Sequence, residues 1–161
     1  MDMTQTQPTP ASLSPGGRLA ALHCSPRAGP DTCCFDVMEH AFRPHGGFAS
    51  ADQVMRRLRR HADQPLSLLA RWIVSRSVIH LSWREETLMP MFQFDLDDMS
   101  VRPSCIRVIA ELAGVYDDWE LALWFATPNA WLDHAAPVTC IASDGFAVLQ
   151  AARTDRFIAR G

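Results

Sequence analysis

The stretch that decides the fold is residues 118–132, which read DWELALWFATPNAWL. Asp117 precedes it and predicts the N-cap of a helix that runs to about Ala126. Pro128 then breaks this helix, because the residue before a proline disfavours the helical region and the proline starts a new turn. A further short turn is expected over 130–134. The stretch therefore predicts two helical pieces with a proline break between them.

The rest of the C-terminal half continues the helical pattern. Pro103 opens a helix that closes near Gly114, and Pro137 restarts the chain after the short turn. Asp144 predicts the N-cap of a final helix. The expected apolar residues of that helix are Phe146, Val148, Leu149, Ala152 and Phe157. Residues 95–161 are thus predicted to form a helical bundle.

The preceding segment, residues 35–94, has a mixed pattern. A short apolar run over 35–42 ends at a turn rich in proline and glycine, and Ser50 predicts the N-cap of a helix from Ala51 to about His61. Pro65 starts a second helix with apolar residues at helical spacing. The pattern predicts two helices joined by a tight turn.

Two extended runs follow these helices. Residues 77–83 and 87–94 are rich in strand-forming and apolar residues on either side of a turn at Arg84, which predicts a β-hairpin. Pro90 cannot donate to a strand ladder, so the second strand is expected at a sheet edge. The predicted fold is mainly α, a small helical bundle with one β-hairpin.

Composition divides the chain into three parts: a disordered Pro-rich tail over 1–34, a helix-turn-helix with a hairpin over 35–94, and a helical domain over 95–161. The tail has too few apolar side chains to offset the entropy of ordering. The sequence contains no run of about eighteen apolar residues, so no membrane contact is predicted. The five cysteines include no CxxC pair, which favours reduced thiols and a cytoplasmic location.

Charge is unevenly distributed along the chain, although the formal net charge is only -3. Residues 50–84 carry seven arginines against two aspartates, whereas residues 85–144 carry eleven acidic side chains against two arginines. One part of the surface therefore suits an anionic partner and another part suits a cationic one.

Residue patterns that carry catalysis or hold cofactors are missing from the sequence. The six histidines show no HxH or HxxxH spacing and no accompanying cysteine pair, so no metal site is predicted. The carboxylate pairs Asp97-Asp98 and Asp117-Asp118 each precede a predicted helix, where capping is the expected role. There is no GxSxG motif and no glycine-rich phosphate loop. We therefore expect no enzymatic activity and no cofactor.

Residues 50–94 resemble a winged helix-turn-helix in outline, with 66–76 in the recognition position and the hairpin as the wing. In that arrangement Arg71, Arg76 and Arg84 are the candidate phosphate contacts. The alternative is that these arginines only solvate the outer faces of amphipathic helices. The second helix is apolar over much of its circumference, which leaves few positions for contacts to bases.

Four large aromatic side chains lie close together in or near the opening stretch: Trp119, Trp124, Phe125 and Trp131. Trp124 follows Trp119 by five residues, so the two cannot share one narrow helical stripe. Burying all four in a small bundle is demanding, and tryptophan is enriched among interface hot spots. We expect some of them in the core and one or two at the surface as partner contacts.

Residues 88–159 resemble the toxin-binding domain of Xre/MbcA/ParS-type bacterial antitoxins. The similarity rests on the hairpin that ends in FQF at 92–94, on the 118–132 stretch, on Pro137 and on the run VLQAAR at 148–153. The family pattern has a core of the form W..A..WF..PN..L, followed by a proline and a last helix with adjacent alanines. The N-terminal half departs from the family, since it has a Pro-rich leader and no readily recognised Xre pattern.

The resemblance implies an antitoxin that neutralises a cognate, NAD-consuming RES-domain toxin by occluding its active site. The residues to which it assigns toxin contact are Trp124, Asn129, Trp131, Leu132, Arg153 and Arg156. The expected assembly is a homo-oligomer or a toxin–antitoxin hetero-oligomer. The alternative function is a DNA-binding transcriptional regulator that uses the basic N-terminal half, with operator DNA as its partner.

Overall fold

The computed structural model describes residues 32–161, which form a mainly α protein with a small antiparallel sheet. The α-helices of this part are α1 (Thr32–Phe42), α2 (Ala51–Leu58), α3 (Pro65–Val74), α4 (Pro103–Leu112), α5 (Asp118–Ala126), α6 (Pro137–Cys140) and α7 (Gly145–Arg160). Its strands are β1 (Phe48–Ser50), β2 (Leu81–Trp83) and β3 (Glu86–Pro90). Short 3-10 turns cover Arg43–His45, Met91–Gln93 and Ala130–Leu132. The predicted fold class is confirmed.

Helix α1 begins at Thr32, inside the segment predicted to be a disordered tail. Its buried residues Cys34, Met38 and Phe42 recur every four positions and therefore share one face. This face packs toward α5. The tail prediction is therefore wrong for residues 32–34, and its remainder, 1–31, lies outside the described residues.

The sheet has the strand order β1-β3-β2, and both neighbouring pairs are antiparallel. Strands β2 and β3 form the predicted hairpin, whose two turn residues, Arg84 and Glu85, have positive φ angles of 47° and 68°. Strand β1 has three residues, too few for an alternating pattern, so the sequence does not indicate it. Because β3 lies between β1 and β2, the expectation of an edge position for the strand with Pro90 is wrong.

The register explains how a proline fits this central strand. The Met91 N–H donates to the Gly47 carbonyl at 2.8 Å, so Phe48 and Pro90 face each other as a non-hydrogen-bonded pair. On the other side, the pairing with β2 extends along β3 only as far as Leu88. No hydrogen bond between the strands is lost because Pro90 lacks an N–H group.

The second extended run also ends earlier than predicted, because Met91–Gln93 is a 3-10 turn. Gln93 is fully buried, and its side-chain amide acts as a strand neighbour for Ile79. The Ile79 N–H donates to Gln93 Oε1 at 2.8 Å, and Gln93 Nε2 donates to the Ile79 carbonyl at 2.9 Å. One side chain thus satisfies both backbone groups of a buried residue just before β2.

Side chains predicted to begin helices do so at three sites. Ser50 and Gln53 form a capping box at α2, Asp117 and Glu120 form another at α5, and Asp144 caps α7. Each cap satisfies backbone N–H groups that the first helical turn leaves without partners. The positions at which these helices begin were therefore predictable from short-range chemistry.

The pair Asp97-Asp98 does not cap a helix, contrary to expectation. The N-cap of α4 is Arg102, whose side chain makes no capping bond. Asp98 Oδ1 instead accepts from the Ser100 N–H at 2.8 Å, and this hydrogen bond lowers the pKa of the exposed Asp98 carboxyl. These two carboxylates belong to a turn that ends before α4 begins.

Two apolar cores hold the described residues together. The first core joins α1 to the C-terminal helices, and it includes Met38 and Ile79 from the N-terminal half beside Leu112 and Phe125 from the C-terminal half. The second core lies among α2, α3, the sheet and the turn after β3. The segments 35–94 and 95–161 consequently share apolar contacts across the boundary drawn from composition.

We expect Gln93→Leu to lower the free energy of unfolding by about 2–4 kcal/mol, because it leaves the buried N–H and carbonyl of Ile79 without partners. Urea unfolding followed by circular dichroism measures this loss. Gln64→Leu is a matched control, since Gln64 is exposed and makes no capping bond at α3, and it should change stability by less than about 0.5 kcal/mol. Equal losses in the two variants would contradict the role of Gln93.

Candidate protein-binding site

The break after α5 is organised by Asn129. Its Oδ1 accepts from the Trp131 N–H at 2.9 Å, and its backbone carbonyl accepts from the N–H groups of Leu132 and His134. Its own N–H donates to the Ala135 carbonyl at 3.0 Å. The predicted helix break is confirmed, and Asn129 closes the short turn that follows it.

Asp155 on α7 is a buried carboxylate, only 4% exposed. Its Oδ2 accepts from Trp124 Nε1 at 2.8 Å and from Asn129 Nδ2 at 2.7 Å, while its Oδ1 accepts from Trp131 Nε1 at 3.1 Å. All three donors are neutral, and Asp155 forms no ion pair within residues 32–161. These four residues, which we call the Asp155 cluster, tie α5, the 3-10 turn and α7 together.

Sequence reasoning missed Asp155, although the sequence carries a signal for it. The buried residues of α7 are Val148, Ala151, Ala152 and Asp155, at positions i, i+3, i+4 and i+7 of one stripe. A lone aspartate that completes an apolar stripe faces the interior, where it needs hydrogen-bond donors. The identity of those donors is not visible in the sequence, because they lie between 24 and 31 residues away.

Three of the residues assigned to toxin contact are buried. Trp124, Asn129 and Leu132 are 5%, 8% and 8% exposed. Trp124 packs edge-on against Phe125 with 5.1 Å between the ring centroids, and Leu132 belongs to the first core. Side chains in these positions offer little exposed area for contact with another protein.

Trp131 differs from the other tryptophans of this region. It is 56% exposed, although its indole N–H is bound to Asp155. Trp124 is buried, and Trp119 is half-buried beside Trp83, with 5.8 Å between their ring centroids. The expected division of the tryptophans between core and surface is confirmed, and Trp131 is the one that extends into solvent.

Arg153 and Arg156 lie on the surface of α7 and both approach Glu111 on α4. Arg156 Nη1 lies 2.8 Å from Glu111 Oε1, and Arg153 Nε lies 3.7 Å from Glu111 Oε2. The side chain of Arg156 remains 39% exposed and that of Arg153 remains 51% exposed. One carboxylate thus serves two guanidinium groups, which leaves this face with excess positive charge.

The last turns of α7 expose apolar side chains. Phe157 is 79% and Ile158 is 60% exposed, and Phe146 at the other end of the helix is 71% exposed. Phe146 and Phe157, two of the expected apolar residues of this helix, lie outside its buried stripe, which passes through Ala151 and Ala152. The set that we call the C-terminal surface consists of Trp131, Arg153, Arg156, Phe157 and Ile158.

The candidate DNA contacts lie on or near α3 and the β2–β3 hairpin. Helices α2 and α3 precede the β2–β3 hairpin, and β1 pairs with β3. Arg71 is exposed on α3. Arg84 lies at the tip of the hairpin, with its guanidinium carbon 5.3 Å from the centre of the Trp83 ring. Both side chains are accessible.

Arg76, the third candidate DNA contact, is engaged within the chain. Its Nη1 donates to the Ala113 carbonyl at 2.8 Å and its Nη2 donates to the Tyr116 carbonyl at 3.3 Å, just beyond the end of α4. Cationic side chains commonly satisfy helix C-termini in this way. Arg76 therefore fastens the segment after α3 to the C-terminal helices, and its side chain stays 42% exposed.

Asp118 lies between the side chains of Arg76 and His80. Arg76 Nη2 is 3.8 Å from Asp118 Oδ1, and His80 Nδ1 is 3.4 Å from Asp118 Oδ2. Burial nevertheless raises the pKa of Asp118, so desolvation outweighs the opposing effects of His80 and Arg76. His80 Nδ1 forms no hydrogen bond within residues 32–161, so its contact with Asp118 is close but not aligned.

No protein-family model, curated protein or solved structure matches the chain. Within residues 32–161, no three or more His, Cys, Asp or Glu side chains are grouped so that they could hold a metal ion. None of the helices in this same part is long and apolar enough to cross a membrane. The function is therefore inferred from the surfaces that the described residues present.

We expect Asp155→Asn to lower the free energy of unfolding by about 2–4 kcal/mol. Asparagine replaces one of the two accepting oxygens by an NH₂ group, which cannot accept the hydrogen bonds that the surrounding N–H groups donate to Asp155. Urea unfolding followed by circular dichroism measures the loss. Trp131→Phe removes only one of the three bonds, at a half-exposed ring, and should cost less than about 1.5 kcal/mol. A loss in Asp155→Asn as small as this would argue against the carboxylate as the organising group.

The raised pKa of Asp118 predicts a pH dependence of stability. A carboxyl whose pKa is higher in the folded than in the unfolded protein binds its proton more tightly when folded, so lowering the pH favours folding. We expect the unfolding free energy of the wild type, relative to Asp118→Asn, to rise as the pH falls from 7 toward about 4. Denaturant unfolding of both proteins across this range measures the difference, and a constant or falling difference would contradict it.

Proposed function

We propose that this protein is a non-enzymatic, antitoxin-like binding protein that neutralises a cognate toxin by covering its active site. The observation that carries the proposal is the C-terminal surface, where Trp131, Phe157 and Ile158 are 56%, 79% and 60% exposed beside Arg153 and Arg156. The resemblance of residues 88–159 to the toxin-binding domain of Xre/MbcA/ParS-type antitoxins supports the same region. The proposed partner is accordingly a cytoplasmic RES-domain toxin that consumes NAD.

The chemistry of the C-terminal surface suits protein binding. Tryptophan and arginine are among the side chains most enriched at interface hot spots, and exposed apolar groups gain free energy when a partner covers them. Ile158 lies three residues after Asp155, one turn further along α7, and is therefore a neighbour of the carboxylate that holds Trp131. Phe157, two residues after Asp155, lies on another side of α7 and adds exposed apolar area there.

Trp131 is held in place before any partner arrives. The hydrogen bond from its Nε1 to Asp155 restricts the indole, while more than half of the residue stays in solvent. A side chain that is already ordered loses little conformational entropy on binding. Trp131 is therefore suited to act as the rigid anchor of the interface.

The charge of α7 indicates the kind of surface that it would meet. Its cationic residues are Arg153, Arg156 and Arg160, and its single carboxylate, Asp155, is buried on the inner side. Glu111 offsets part of this charge. The proposed contact on the toxin is an apolar depression with an acidic rim, because such a rim would complement the remaining arginine charge.

The alternative function, DNA binding through the N-terminal half, has weaker support. Its basis is the winged helix-turn-helix outline and the basic segment 50–84. Specific base contacts usually come from Arg, Lys, Asn or Gln on the outer face of the recognition helix. The exposed residues of α3 are Leu66, Ser67, Ala70, Arg71 and Val74. Partner binding therefore ranks first.

Co-expression with the product of an adjacent RES-type gene tests the proposal. We expect that product alone to arrest growth, and we expect the full chain to restore growth and to co-purify with it as a hetero-oligomer. Trp131→Ser and Phe157→Ser should each weaken binding by about tenfold or more, because each removes an aromatic group from the interface. Isothermal titration calorimetry on the purified proteins measures the change.

Phe146→Ser is the matched control for Phe157→Ser. Both residues are exposed phenylalanines on α7, 71% and 79% exposed, but they are about 16 Å apart along the helix. The control should leave growth and affinity unchanged. The proposal fails if the neighbouring product stays toxic and unbound in the presence of the wild-type chain, or if Phe146→Ser and Phe157→Ser weaken binding equally.

A further inference from the structure

Helix α3 carries a separate apolar stripe on its outer side. Leu66, Ala70 and Val74 follow each other at four-residue spacing, so they lie along one side of the helix. Leu66 is 69% and Val74 is 85% exposed, while Leu69 holds another side of the same helix in the second core. A continuous apolar row of this kind marks an interaction surface more often than isolated exposed apolar residues do.

Arginine side chains border this stripe. Arg71 lies on α3 three residues before Val74, and Arg59 and Arg60 lie in the turn that leads into the helix. All three arginines are exposed, and none of them forms an ion pair within residues 32–161. The surface thus combines an apolar row with exposed arginines that form no ion pair in the described part of the chain, and Asp63 in the same turn offsets only part of their positive charge.

Duplex DNA, a second copy of this protein and the N-terminal segment 1–31 each fit poorly on an apolar stripe bordered by arginines. Duplex DNA would meet Leu66 and Val74 at positions where base recognition needs polar donors and acceptors. A second copy of α3 would bring Arg71 and its neighbours toward identical charges, which repel. Residues 1–31 contain two acidic and two basic side chains, so this segment has no excess negative charge to offer. A partner that covers this surface therefore has to offer both apolar side chains and carboxylates.

We propose that the α3 stripe, formed by Leu66, Ala70 and Val74 with Arg71 at its border, binds an acidic amphipathic helix of a partner protein. Apolar side chains on one face of that helix cover the stripe, and its carboxylates pair with Arg71 and with Arg59 or Arg60. The stripe lies on α3, whereas the C-terminal surface lies on α7 and the 3-10 turn before α6. The inference is therefore independent of the proposed function.

Fluorescence anisotropy with the full chain and a labelled model peptide tests the inference. The peptide is a glutamate-rich helix with leucines at four-residue spacing, and the reference peptide has the same composition in scrambled order. We expect the helical peptide to bind at least about tenfold more tightly, and we expect Leu66→Ser and Val74→Ser each to weaken it by about tenfold. Arg71→Ala should weaken binding and reduce its dependence on salt.

Leu96→Ser is the matched control, since Leu96 is also exposed, at 52%, but lies in the turn before α4. It should leave peptide binding unchanged, and all four variants should unfold at the wild-type temperature because each site is exposed. Three results would each overturn the inference: equal binding of the two peptides, tighter binding of a DNA duplex that Leu66→Ser does not affect, or a dimer in analytical ultracentrifugation that Val74→Ser dissociates.

Discussion

The Asp155 carboxyl group lies inside the helical bundle at a point where no cationic side chain of the described residues forms an ion pair with it. Such burial is costly unless hydrogen bonds satisfy the oxygens. Trp124, Asn129 and Trp131 supply three, from α5 and from the turn after it. These hydrogen bonds therefore fix α7 against both elements on either side of the helix break at Pro128.

The same cluster connects the fold to the proposed function. Trp124 lies inside the bundle, whereas Trp131 is bound by its N–H and leaves its ring in solvent. Ile158 lies one turn after Asp155 on the same side of α7 and therefore belongs with the anchor, whereas Phe157 lies on another side of the helix. A partner that binds this surface meets side chains whose positions the interior has already determined.

The arginines of segment 50–84 are alike in the sequence, but the structure gives them different roles. Arg76 satisfies carbonyl groups after α4 and so joins the two halves of the chain, while Arg71 stays exposed beside the α3 stripe. Gln93 similarly completes the backbone hydrogen bonding of Ile79 within the interior. Composition indicates a basic surface, but the roles of individual side chains depend on which backbone groups remain unsatisfied nearby.

The sequence by itself determined the helical character, the caps at Ser50 and Asp117 and the helix break at Pro128, because these features depend on residues within about four positions of each other. Tertiary structure alone decided that β1 pairs with the strand containing Pro90, and that Asp155 is buried while Phe157 is exposed. When a helix has apolar residues on more than one side, its sequence does not say which side faces the core. The elements that pack against it, often more than twenty residues away, select one of them.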